Sequence, residues 1–192
     1  MRCEWCLNDE LYIKYHDYEW GKPNYDDKVL YEFLVLESMQ AGLSWLTILK
    51  KREAFRKAFA DFDYYQVAKF HEKRIEELLM DSNIIRNRRK IEAAINNAQR
   101  FIEVQKEFGS FAQYLWGFVN NRPIINHYNN IYEIPTKTVL SDKIALDFKK
   151  RGFKFLGTTI IYSYLQAIGI INDHIDKCSF KYQNQGDLGG EC

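Results

Sequence analysis

The chain has 192 residues, 46% of them hydrophobic and 16% aromatic, enough for one compact domain, or two lobes, around a real core. Its charged residues make up 28% of the chain yet sum to a formal net charge of +1, which excludes a global electrostatic field for nucleic acid and leaves only local basic patches. No apolar run approaches the roughly 20 residues of a membrane span, and "MRCEWC" has no signal-peptide core. The cysteines, at positions 3, 6, 178 and 192, do not thread the chain as a disulfide framework would. A cytoplasmic protein with reduced thiols is expected.

Apolar residues recur with helical period nearly everywhere. Asp26 and Asp27 can cap a helix whose Val29, Leu30, Phe33, Leu34 and Leu36 make a wide apolar face, ending at Gly42. Ser44 can cap "SWLTILKKREAFRKAF", and "EKRIEELLM" fits the next helix. The long "RKIEAAINNAQRFIEVQKEF" stops at Gly109, and Ser110 can cap "SFAQYLWGFV". An extended stretch from Pro123 to Pro135 follows. Ser141 opens "DKIALDFKK" up to Gly152, and Thr158 opens "TIIYSYLQAI" up to Gly169. No segment alternates as a strand, and no repeat or internal linker is present. The reading is all-α, a single domain over 1–180, with a disordered tail over 181–192.

"NDHIDKC" sets His174 and Cys178 four residues apart, side by side on a helix or in one tight turn. Cys3, Cys6 and His16 at the other end offer further ligands, and four Cys or His groups would close a tetrahedral zinc site with no place for a reactive water. Spacing alone leaves open unconnected thiols and surface histidines, because classical ligand pairs lie closer together in sequence. The segment between carries Trp5, Tyr12, Tyr15, Tyr18 and Trp20 around His16, with Trp45 soon after. Aromatics at helical spacing are most often core. Glu37, on the apolar helix in "LVLESMQAG", belongs either to that helix's polar edge or to a pocket.

The segments "YHDYEWG", "ESMQAGLSWLTILKKRE", "IIRNRRKI", "KKRGFKFLGTTIIYS" and "NDHIDKC" together resemble the DNA-3-methyladenine glycosylase I family, in that family's order, from Cys3 to about Cys178. The resemblance implies a helix-hairpin-helix DNA repair glycosylase with one structural zinc held by Cys3, His16, His174 and Cys178, Cys6 remaining a competitor for Cys3. The hairpin departs from the family's "GIIRHRG" by carrying Asn83 and Arg89 in place of glycines. Asn is the best non-glycine substitute in a left-handed turn, so the hairpin is expected to survive.

With that resemblance, Trp5, Tyr15 and Trp45 are candidate rings to stack on or edge a flipped base, and Trp20 a wall. Glu37 would accept from the exocyclic amino group and favour positive charge developing on the sugar. 3-Methyladenine in DNA is cationic, so aromatic faces and a carboxylate attract it, and it leaves readily. Arg86 and Arg88, before a helix N-terminus, are candidate phosphate contacts. Further basic clusters lie at Lys50 to Lys57 and Lys149 to Lys154. Leu43, beside Gly42, either wedges into the gap left by the flipped nucleotide or packs between helices. The partner expected is double-stranded alkylated DNA, bound by a monomer that leaves an abasic site. The competing readings are a non-catalytic reader of alkylated DNA and a zinc hydrolase, the latter disfavoured by a closed ligand set.

Overall fold

In a computed structural model that describes residues 1–40 and 42–182, helices dominate and pack around one continuous core drawing on residues from Cys3 to Cys178. The helices are α1 (Glu10–Tyr18), α2 (Asp27–Met39), α3 (Trp45–Ala58), α4 (Tyr64–Val67), α5 (Glu72–Met80), α6 (Arg88–Phe108), α7 (Phe111–Gly117), α8 (Val139–Lys150) and α9 (Thr158–Ala167). None among the described residues is long and apolar enough to cross a membrane.

Helix α2 forms the centre, and every residue from Leu30 to Met39 is buried. A helix enclosed all round needs its neighbours to satisfy what it exposes inside. Tyr164 on α9 donates to the carbonyl of Leu30 at 3.0 Å, and Tyr31 donates to that of Ala94 on α6 at 3.0 Å. Asp26 caps α2 by accepting from the amides of Lys28 (2.8 Å) and Val29 (3.2 Å). Asp27 instead reaches across to the start of α7, accepting from the amides of Phe111 and Ala112 at 2.9 and 2.8 Å. One expected cap thus serves its own helix and the other a distant helix.

The caps at Ser44 and Ser110 accept from the amides of Thr47 (3.2 Å) and Gln113 (3.0 Å). Two expected starts shift. Thr138, not Ser141, caps α8, with Ser141 completing a reciprocal capping box. Gly157 occupies the cap position of α9, and Thr158 is its first helical residue. Helix α2 ends at Met39, before the turn at Gly42 (φ +81°).

The all-α reading needs one correction. Ile124–Ile125 (β1) and Ile171–Asn172 (β2) pair in parallel, with Ile124 opposite Ile171 and Ile125 opposite Asn172. Two residues are too few to show an alternating pattern, so periodicity could not reveal them. Lys181, the first residue of the expected tail, is fully buried and donates from Nζ to Asp176 Oδ1 at 2.5 Å. Residues 183–192, the rest of the expected tail, lie outside the described residues.

Gly169 (φ +73°) locks the N-terminal segment onto the end of α9. A Cβ there would lie 2.1 Å from the carbonyl carbon of Lys22, so only glycine lets the two segments meet. Gly21 donates to the carbonyl of Gln166 at 2.8 Å, and Asn24 to that of Ile168 at 3.0 Å. This docking sets Trp20 between the two chain ends.

Candidate functional site

Cys3, just before a 3-10 turn (Glu4–Cys6), meets His16 of α1, and His174 and Cys178 of the turn after β2. One ligand atom from each lies within 4.8 Å of all the others, and all four residues are buried. Cys178 Sγ is 3.3 Å from His174 Nδ1 and 3.5 Å from His16 Nε2, and Cys3 Sγ is 3.7 Å from His174 Nδ1. Bond lengths of about 2.0–2.3 Å to a central ion would place tetrahedral ligands roughly 3.3–3.8 Å apart.

The outer nitrogens support the fit. His16 donates from Nδ1 to Asp17 Oδ1 at 2.8 Å, and His174 from Nε2 to the carbonyl of Trp20 at 3.0 Å. Because those acceptors can only accept, each ring turns its lone pair towards the two thiols. Arg2 in turn grips Asp17, with Nε 2.9 Å from each carboxylate oxygen. A hydrogen bond from Cys3, with both imidazoles beside it, holds the Cys178 thiol far below its usual range; the same bond and burial push Cys3 up. The four residues can hold a metal ion. Cys6 is outside this set, its thiol donating to the carbonyl of Cys3 at 3.1 Å.

On the other side of Trp20 opens a cavity of about 300 Å³, whose lining includes Trp5, Tyr15, Trp20, Glu37 and Trp45. Tyr12, Gln40, Ile131, Ile134, Ser163 and Gln166 complete the wall. Trp5 stands edge-on to Trp20 at 5.0 Å and to Tyr12 at 4.8 Å. Trp45 lies 5.6 Å from Tyr15, backed at 6.4 Å by Phe33. Arg52 sits 5.0 Å over the Phe33 ring.

Glu37 is 2% exposed, and among the described residues neither its Oε2 nor Trp45 Nε1 has a hydrogen-bond partner. Burial pushes the Glu37 carboxyl up to about 8, so in the free pocket it is mostly neutral at pH 7. An acceptor and a donor are thus left unpaired in one aromatic cavity, an arrangement costly unless a ligand completes it.

Arg86, Arg88 and Leu43 lie outside the cavity wall. Leu43 is 39% exposed, and its amide closes the turn onto Gln40 at 2.7 Å. Since Gln40 lines the cavity, this turn borders it. Arg86 is exposed and makes no ion pair among the described residues. Arg88 is engaged, 2.7 Å from Glu72 and 3.6 Å from Glu92. Asn83 does not take the left-handed turn expected of it. Asp81 Oδ1 instead accepts from the Asn83 amide at 2.9 Å, and this side-chain turn removes the need for glycine.

The basic cluster from Lys50 to Lys57 is largely paired within the protein. Arg52 and Arg56 reach Glu32 at 2.6 and 2.9 Å, Arg52 also reaches Glu19 at 2.7 Å, and Lys50 pairs with Asp9 at 2.8 Å. Lys51 donates to the carbonyl of Asn83 at 3.0 Å. In the third cluster Arg151 is held by Glu107 and Asp147, while Lys149, Lys150 and Lys154 are exposed.

Sequence reasoning missed the far wall of the cavity. Ser163 and Gln166 lie three apart on one face of α9, among residues that read as ordinary core. Ile131 and Ile134 belong to the extended stretch, which offered no periodic signal.

The fold and cavity define a helical protein with an aromatic-lined pocket that encloses a buried acid. Residues 5–182 match the family described as methyladenine glycosylase. "DNA-3-methyladenine glycosylase 1" of Escherichia coli (strain K12) is 48% identical over 177 residues, 92% of this chain and 95% of that protein. "DNA-3-methyladenine glycosylase" of Haemophilus influenzae (strain ATCC 51907 / DSM 11121 / KW20 / Rd) is 42% identical over 94% of this chain and 97% of its own. A solved 3-methyladenine DNA glycosylase I from Staphylococcus aureus, described as showing the basis of 3-methyladenine recognition, superposes with a TM-score of 0.91 at 40% identity, covering 94% of this chain and 96% of that one. The chain belongs to the methyladenine glycosylase family.

Proposed function

We propose that this protein is a monofunctional DNA repair glycosylase that hydrolyses the N-glycosidic bond of 3-methyladenine in alkylated duplex DNA and leaves an abasic site. The unpartnered Glu37 Oε2 in an aromatic cavity carries this reading. A flipped cationic base would bring the amino donor that Glu37 lacks, and its charge would draw Glu37 into the ionised form. Trp5, Tyr15 and Trp45 would receive the ring, with Trp20 as a wall. A cation–π contact adds roughly 0.5–2 kcal/mol for the charged base over a neutral one.

When the C1′–N9 bond breaks, its electron pair neutralises the positive base, and water adds to the sugar cation, releasing a proton. Glu37 would favour the positive charge on the sugar. No lysine is among the residues lining the cavity, which supports hydrolysis by water over attack by an amine.

The ion suited to two cysteines and two histidines is zinc, held by Cys3, His16, His174 and Cys178. With four protein ligands it would take no part in the chemistry and would fasten the two chain ends behind Trp20. Helices α5 and α6, with the loop between them, would serve as the helix-hairpin-helix that grips the backbone. Arg86 would contact phosphate directly, and Arg88 would do so by exchanging its acidic partners. Leu43, on the turn bordering the cavity, would fill the gap left by the base. The protein would act as a cytoplasmic monomer, with residues 1–180 as its single glycosylase domain.

Incubation with methylated DNA and chromatography of the released bases tests this. Release of 3-methyladenine, with no adduct trapped by borohydride, is expected. Binding of alkylated DNA without release would make the protein a reader of damage, and a trapped adduct would refute hydrolysis by water.

A further inference from the structure

Gln166 lines the cavity and is only partly exposed, yet the proposed mechanism gives it no task. Its side chain is fixed from behind. Nε2 donates to Asp173 Oδ2 at 2.7 Å, and Asp173 is fully buried. The same carboxylate accepts from Asn126 Nδ2 at 2.7 Å and from the hydroxyl of Tyr162, one turn before Gln166 on α9. A carboxylate surrounded by donors can only accept, so the amide cannot turn over. One N–H of its NH₂ goes to Asp173, while Oε1 takes part in no hydrogen bond among the described residues. The main chain is held as well, since the Gln166 carbonyl accepts from Gly21 at 2.8 Å.

Chemistry follows from the fixed orientation. Glu37 on α2 and Gln166 on α9 both line the cavity, so the Glu37 carboxylate and the side-chain Oε1 of Gln166 are available as two oxygen acceptors. An amino group at position 6 of a purine has two N–H donors, one for each. A keto oxygen at position 6 has none and would face two acceptors, losing both bonds and leaving both oxygens unpaired. Sites built to hydrogen-bond a group discriminate strongly against analogues lacking it, because buried partners are left unsatisfied.

We propose that Gln166, oriented by Asp173, is a specificity-determining residue that selects 6-amino over 6-keto 3-methylpurines. This rests on the functional reading above and extends it to a choice between substrates.

Single-turnover release of 3-methyladenine and 3-methylguanine from the same methylated DNA tests it in full-length protein. Wild type should release 3-methyladenine with a large preference. Gln166→Met keeps length but loses the acceptor, and should narrow the preference by about tenfold, mainly by slowing 3-methyladenine. Asp173→Asn lets the amide turn and offer NH₂ to a keto oxygen, so 3-methylguanine release should rise in absolute rate. Metal content measured alongside separates this from damage to nearby His174. If Asp173→Asn does not fold, Gln166→Met alone decides. An unchanged preference in Gln166→Met overturns the inference while leaving the functional reading intact. Wild type that releases no 3-methyladenine overturns the functional reading, and the inference with it.

Discussion

The clasp and the cavity share Trp20, whose carbonyl serves one and whose ring walls the other, but their polar atoms meet opposite fates. In the clasp, each imidazole has a partner on its outer nitrogen, and Asp17 is held in turn by Arg2. In the cavity, Glu37 Oε2 and Trp45 Nε1 have none. The same contrast appears within α2. Glu32 and Glu37 are both buried, yet Glu32 meets Arg52 and Arg56 while Glu37 meets no cation among the described residues. Satisfied buried groups hold a structure together; an unsatisfied one at equal burial is a cost retained for a ligand.

Breaking the clasp should give the largest effect. Cys178→Ala should lose its metal and more than about 4 kcal/mol of stability, as expected when a closed structural site is removed. Cys6→Ala should keep the metal, since that thiol lies outside the four-residue set. Metal analysis and denaturant unfolding check both. Full occupancy in Cys178→Ala, or loss only on changing Cys6, would reassign the ligands.

The two glutamates sharpen the contrast next. Glu32→Gln leaves Arg52 and Arg56 without their shared carboxylate and should cost about 3 kcal/mol. Glu37→Gln should cost nothing at neutral pH and should even stabilise, because Gln is spared the free energy of protonating a buried acid. Denaturant midpoints for the two variants should therefore separate clearly. Equal losses would mean that Glu37 is held as firmly as Glu32.

A subtler sign comes from pH. The folded Glu37 carboxyl titrates at about 8, against an ordinary value of 4.5. Across that window the folded state binds more protons than the unfolded state, so this residue's contribution to stability falls as pH rises from about 4.5 to about 8. The loss should be on the order of a few kcal/mol and absent from Glu37→Gln. Parallel pH profiles for wild type and variant would remove the buried carboxyl from the account.

The smallest effect belongs to the hairpin. Replacing Arg86 with Ala should flatten the slope of log affinity for duplex DNA against log salt by about one unit. Arg88→Ala should change it less, because Glu72 and Glu92 already compete for that guanidinium. An unchanged slope for Arg86 would mean that it faces solvent in the complex.

Most helices were legible because their signals are local: an apolar period, a capping Asp or Ser, a terminating Gly. What escaped depended on distant partners. Asp27 reads as a cap for its own helix, yet it serves α7, which lies more than 80 residues on. Arg52 reads as part of a basic face and lies inward against Glu32 and Glu19. The near wall of the cavity stood out because Trp5, Tyr12, Tyr15 and Trp20 cluster within one segment around His16, with Glu37 and Trp45 soon after. Ser163 and Gln166 did not, since polar residues on an otherwise apolar helix acquire meaning only from what they face.

The central claim is that Glu37 is left unpaired for the base. Its most direct test is single-turnover excision of 3-methyladenine by Glu37→Gln at saturating enzyme. Gln keeps the shape and can offer its amide oxygen, but it cannot carry the charge. The variant should fold, keep its metal and bind abasic DNA, while excision falls by roughly 10–1,000-fold, about 1.4–4 kcal/mol of transition-state stabilisation. Excision at the wild-type rate would contradict the account and leave stacking alone to select and release the base.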